Sequence, residues 1–165
     1  MRKTLAALLL LIACVSLSAQ KNTTTAQRNF DVKEALDQKL ISITVEGTGG
    51  HHGECLKITC NNLRGKSLRI RFPIGQLMEP VDSLQQTLVV AEEQWVNITP
   101  KMPGALTLKT FCTQAGEISP AKNARFLVAA MAPEALCNVL KFIAEKGKTN
   151  DGAAQSAVWA MTNGY

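Results

Sequence analysis

The sequence predicts a mainly β or α+β domain: an immunoglobulin-like β-sandwich of about six or seven strands, followed by two C-terminal helices. Three observations predict it. Short segments between residues 41 and 112 alternate apolar and polar residues with period two, the mark of half-buried strands. Turn residues separate them at short intervals, as at Gly47-Thr-Gly-Gly50, Pro73-Ile-Gly75 and Pro103-Gly104. After Pro133 the apolar period lengthens to that of a helix.

Residues 1–19 stand apart from this domain. Arg2 and Lys3 form a positive start, and Leu5 to Ile12 an apolar run too short to span a bilayer. Ser16-Leu-Ser-Ala19 supplies small residues before Gln20. This is the pattern of a secretory signal peptide cleaved after Ala19. Leu11-Ile-Ala-Cys14 also fits a lipidation signal, and a chain lipidated at Cys14 would be tethered to a membrane. The expected location is therefore outside the cytoplasm, in the periplasm, on the cell surface or secreted. Residues 20–29 are polar and Thr-rich, a flexible leader. Residues 30–165 form one domain, long enough to bury a hydrophobic core.

The elements follow in order. Asp31 offers a cap to a short helix over 31–39, with Val32, Ala35 and Leu36 on one face. Ile41, Ile43 and Val45 alternate with Ser42, Thr44 and Glu46 in a first strand. Glu54–Cys60 forms the next, with Leu56, Ile58 and Cys60 inward and Cys55 on the opposite face. Ser67–Phe72 turns Leu68, Ile70 and Phe72 inward and its arginines outward. Residues 76–86, with Pro80 and Asp82, read as a connection. Thr87–Val90 is a short strand. Trp95–Ile98 pairs with 106–110 as a hairpin across the Pro103-Gly104 turn, and residues 105–112 complete the alternation. Residues 125–131 fit either a strand or a helix. Pro133 and Glu134 start a helix whose buried stripe is Leu136, Val139, Leu140 and Ile143, and Gly147 ends it. Asn150 or Asp151 caps the last helix. There Ala154, Ala157, Val158 and Met161 form one stripe, and Gln155, Trp159 and Thr162 the adjacent one.

The net charge of +5 falls to +3 once Arg2 and Lys3 are removed. The densest basic piece, Arg64-Gly-Lys66-Ser-Leu-Arg69-Ile-Arg71, alternates charge with apolar residues. It reads as the wet face of a strand, so no nucleic-acid partner is expected. Gly-x-Ser-x-Gly, His-Glu-x-x-His and paired Cys-x-x-Cys patterns are all missing from the sequence, as is a phosphate-cradling Gly loop. The function expected on these grounds is a non-enzymatic binding or accessory protein of a bacterial envelope. Its partner would be another envelope or surface protein, and no cofactor is expected.

Four cysteines remain after residue 19: Cys55, Cys60, Cys112 and Cys137. In an exported chain an even number suggests up to two disulfides, with all pairings open except Cys55 with Cys60, which share a strand. His51, His52 and Cys55, with Glu54 and Cys60 nearby, carry imidazole and thiol groups suited to zinc, copper or hydrolysis. Adjacent histidines on an extended chain would point apart, however. A dyad of Cys112 with His51 or His52 is a further arrangement. Trp159 reads as a packing anchor fixing the last helix to the sandwich.

Gln155-Ser-Ala157-Val158-Trp159 resembles the Gln-x-Ala-Ile-Trp signature of bacterial surface thioester domains. The resemblance implies an internal thioester between a cysteine, here Cys112, and Gln155, used to capture a partner's nucleophile covalently. The chain departs from that pattern in two places: Ala154 stands where the family has Thr, and Thr113 follows Cys112 where an aromatic is usual. More broadly, Gly49-Gly50, Cys55-Leu56, Gln85, Pro103-Gly104, Phe111-Cys112 and the Gln-x-Ala-Val-Trp end are similar to a set of small exported, Bacteroidetes-like proteins of no known activity.

Overall fold

The computed structural model describes residues 28–164. The expected signal peptide, Cys14 and residues 20–27 of the expected leader lie outside the described residues, while Arg28 and Asn29, expected in the leader, already belong to the first strand. The elements are β1 (Arg28–Asp31), α1 (Val32–Asp37), β2 (Ile41–Gly47), β3 (His52–Asn62), β4 (Leu68–Phe72), β5 (Gln76–Pro80), β6 (Leu88–Val90), β7 (Gln94–Ile98), β8 (Gly104–Cys112), β9 (Phe126–Met131), α2 (Glu134–Glu145) and α3 (Gly152–Asn163). The fold is mainly β, with two sheets and two C-terminal helices.

The larger sheet has the order β2-β3-β8-β6-β5-β9, and the smaller β1-β4-β7. Every pair is antiparallel except β1 with β4. The two edges of the larger sheet meet. Glu46 bridges Arg125, the Gly47 N–H donates to the Ala124 carbonyl at 2.8 Å, and the Asn123 N–H donates to the Gly47 carbonyl at 2.8 Å. This contact curls the sheet nearly into a barrel.

Period two then sorts the side chains into two cores. Leu56, Ile58, Leu88, Leu108 and Cys112 of the larger sheet face Leu68, Ile70, Phe72, Val96 and Ile98 of the smaller. The alternate residues Val89 and Phe111 face the other way. They pack against Leu136, Leu140, Ile143, Ala154 and Val158 of the helices.

Several sequence expectations need correction. The 95–98 strand does not form a hairpin with 106–110: β7 pairs with β4, and β8 with β3 and β6. A Cβ on Gly104 would lie 2.5 Å from the Val96 and Ile98 methyls, so β8 starts by crossing face to face over β7. Gln76–Pro80 is a strand, not part of a connection. Met78 is fully buried, Gln76 donates to the Ala129 carbonyl at 2.7 Å, and Pro80 stands at the strand end where a missing N–H is tolerated.

Asp31 is the N-cap residue of α1, as expected, but its side chain makes no capping bond. Its carboxylate takes two bonds from the Arg71 guanidinium, at 2.5 and 2.8 Å. The 125–131 segment is an edge strand. In α3 the buried residues are Ala154, Gln155 and Val158, while Ala157 and Met161 are exposed, so the polar Gln155 takes the inward place expected for Ala157. As expected, Asp151 caps α3, accepting from the Ala153 and Ala154 N–H groups.

Candidate functional site

The two constellations read separately from the sequence come together at the end of β8. Three local devices bring them there. First, a β-bulge between Glu54 and Leu56 puts Cys55 and Leu56 both inside. Cys55 was expected on the outer face, and the extra residue of the bulge is what reverses it. Second, Gly49, Gly50 and Gly53 adopt φ of +96°, +89° and +80°, which turns the chain sharply at the entry to β3. The His51 and His52 rings therefore do not point apart. They stack, with centroids 4.6 Å apart. Third, α3 lies against the end of β8 with Gln155 on its inner face.

Gln155 is the centre of the arrangement, with 1 % of its surface exposed. Its Oε1 accepts the Cys112 N–H at 2.9 Å, and its Nε2 donates to the Cys112 carbonyl at 2.8 Å. The side-chain amide thus pairs with the strand as another strand would. The Cys112 N–H is shared, since it also donates to the His51 carbonyl at 3.0 Å. Two turns further along α3, Asn163 repeats the device. Its Nδ2 donates to the Thr113 carbonyl at 3.1 Å, and its Oδ1 accepts the Ala115 N–H at 3.2 Å. Sequence reading missed Asn163; its signal was an amide side chain eight residues after Gln155, on the same helix face.

Cys112 is fully buried, and burial together with neighbouring Cys55 pushes its thiol up to about 12. Burial also raises the Cys55 thiol, and the Thr110 side chain pulls the other way. The described cysteines are all free. The expected disulfides are therefore not formed: Cys55 and Cys112 are neighbours inside the first core as separate thiols, Cys60 lies in that core, and Cys137 is half-buried on α2.

Trp159 follows Gln155 by one helical turn. It is half-buried and packs against the first core, and its ring stacks on His51 with centroids 6.2 Å apart and planes 22° apart. Its Nε1 is buried without a hydrogen-bond partner among the described residues. His51 itself is exposed, whereas Cys112 and Gln155 are buried. Among the described residues no group of three or more His, Cys, Asp or Glu side chains could hold a metal ion. His51, His52 and Cys55 share a neighbourhood but form no cage.

Comparison with known proteins finds no matching family model, no matching characterised protein and no matching solved structure.

Proposed function

We propose that the chain is a covalent capture module, in which Cys112 and Gln155 form an internal thioester that a partner's amine later opens. One observation carries this reading: the Gln155 carboxamide is buried directly on the backbone of Cys112, from a helix that begins far along the chain. The carboxamide is thereby fixed to the residue that carries the thiol, so that its attack would be an intramolecular step.

The chemistry balances without a further reactant. The Cys112 Sγ bonds to the Gln155 Cδ, the Cδ–Nε2 bond breaks, and ammonia leaves with the thiol proton. An amine then bonds to Cδ and Sγ departs as the thiol, leaving an amide between Gln155 and the partner. The Cys112 N–H on Oε1 draws electron density from the carbonyl, as an oxyanion donor does. Burial withholds water, so the stored acyl group waits for an amine.

In this reading the chain is exported and meets an envelope or surface protein outside the cytoplasm. The immunoglobulin-like class belongs to the same proposal, supported by the small sheet stacked on the larger across one core. Intact mass of the processed protein is the test. A thioester lowers the mass by one ammonia, and methylamine then gives a product one methylene heavier than the unmodified chain.

A second reading keeps the protein as a non-covalent binding or accessory subunit. The observation favouring it is that both ends of the Gln155 amide are satisfied by backbone, while burial holds the Cys112 thiol protonated. Gln155 is then a clamp seating α3. Full mass with four titratable thiols would select this reading and eliminate the first.

A further inference from the structure

Resting on the thioester reading, we propose that the Trp159 indole N–H is the second donor of an oxyanion hole, whose first donor is the Cys112 backbone N–H. Buried donors are almost always paired, so an unpaired one beside a polar site calls for a role. The Trp159 Nε1 is such a donor. It sits one turn after Gln155, on the same face of α3, where side chains four apart meet.

The first donor is only partly available. The Cys112 N–H divides between Gln155 Oε1 at 2.9 Å and the His51 carbonyl at 3.0 Å. When Sγ adds to Cδ, the carbon turns from planar to tetrahedral. Its oxygen gains a full charge and moves out of the amide plane. A hole built for that state aims its donors at the new oxygen position, not at the resting carbonyl. An indole N–H left unpaired one helical turn from Gln155 fits this role. His51, stacked on the indole, holds the ring in place, and its own carbonyl ties the same loop to Cys112. The donor engages twice: when Cys112 attacks the carboxamide, and when an amine attacks the thioester.

Trp159→Phe keeps a ring against His51 and removes the N–H. The measurements are melting temperature, the fraction of chain lacking one ammonia, and the rate of methylamine incorporation. The expected result is a folded variant whose thioester formation or methylamine capture falls at least tenfold, towards the roughly 10²–10³-fold loss typical of a missing oxyanion donor. A folded variant that forms and opens its thioester at wild-type rates overturns the inference and leaves the thioester reading intact. Wild-type protein of full mass overturns both. If the phenylalanine variant melts early, benzothienylalanine at position 159, in a Trp95→Phe background, keeps the indole outline without the N–H. The same two rates then decide.

Discussion

Cys60 and Cys112 lie in the same core, both fully buried and both pushed up to about 12, yet their surroundings differ in kind. Around Cys60 the neighbours are alternating strand side chains, and burial alone sets its thiol. Around Cys112 the strand ends, the helix supplies Gln155, and the His51 carbonyl brings a stacked histidine pair and indole alongside. Burial by itself therefore makes an inert thiol. A buried amide placed on the same residue's backbone is what turns the second position into a candidate site.

The largest expected effect tests the first region alone. Phe72 is fully buried between the sheets, and Phe72→Ala should cost about 3–5 kcal/mol in urea unfolding. A cost below about 1 kcal/mol would mean that the space between the sheets collapses freely and that the region is not a packed core.

Next comes the clamp. Gln155→Ala leaves the Cys112 carbonyl buried without its partner, while the Cys112 N–H keeps the His51 carbonyl. The expected loss is about 1–3 kcal/mol. An unchanged unfolding midpoint would show that α3 seats without Gln155, and the contrast between the two cysteines would lose its basis.

The pH arm separates the regions directly. Both thiols are raised from an ordinary 9.0 to about 12. Between these values the unfolded chain releases thiol protons that the folded chain keeps, so stability is intact below 9.0 and falls as pH rises towards 12. Cys60→Ala should flatten that fall in thermal melts. Cys112→Ala should flatten it equally if Cys112 is a thiol, and not at all if its sulfur is acylated. Identical slopes in wild type and Cys60→Ala would show that burial does not hold that proton.

The smallest effect is a control outside both regions. Asp31→Asn breaks a half-exposed pair with Arg71 and should cost less than about 1 kcal/mol in the same unfolding experiment. A larger loss would make the small sheet depend on this ion pair.

Much of the fold was legible because period two is a local signal. Leu68, Ile70 and Phe72 face inward as their alternation demands, and the helix over Glu134–Glu145 buries Leu136, Leu140 and Ile143 of the expected stripe. The misread strands have one physical source, which is that strand partners are chosen at a distance. Trp95–Ile98 and 106–110 look like a hairpin because a turn joins them, but β4 lies across the core and takes β7 instead. Gln76–Pro80 looks polar and broken, and becomes a strand because β6 and β9 flank it.

The site divides in the same way. The residue types and their order could be read from the chain: a cysteine closing a strand, a glutamine and a tryptophan one turn apart on a capped helix, and a histidine pair after a glycine run. That they meet depends on the packed fold. The bulge that turns Cys55 inward, the positive-φ glycines that stack the histidines, and the seating of α3 on the end of β8 are each a balance of contacts between distant segments. Side-chain chemistry is written residue by residue, whereas juxtaposition depends on which surfaces bury each other, and no stretch of chain carries that alone.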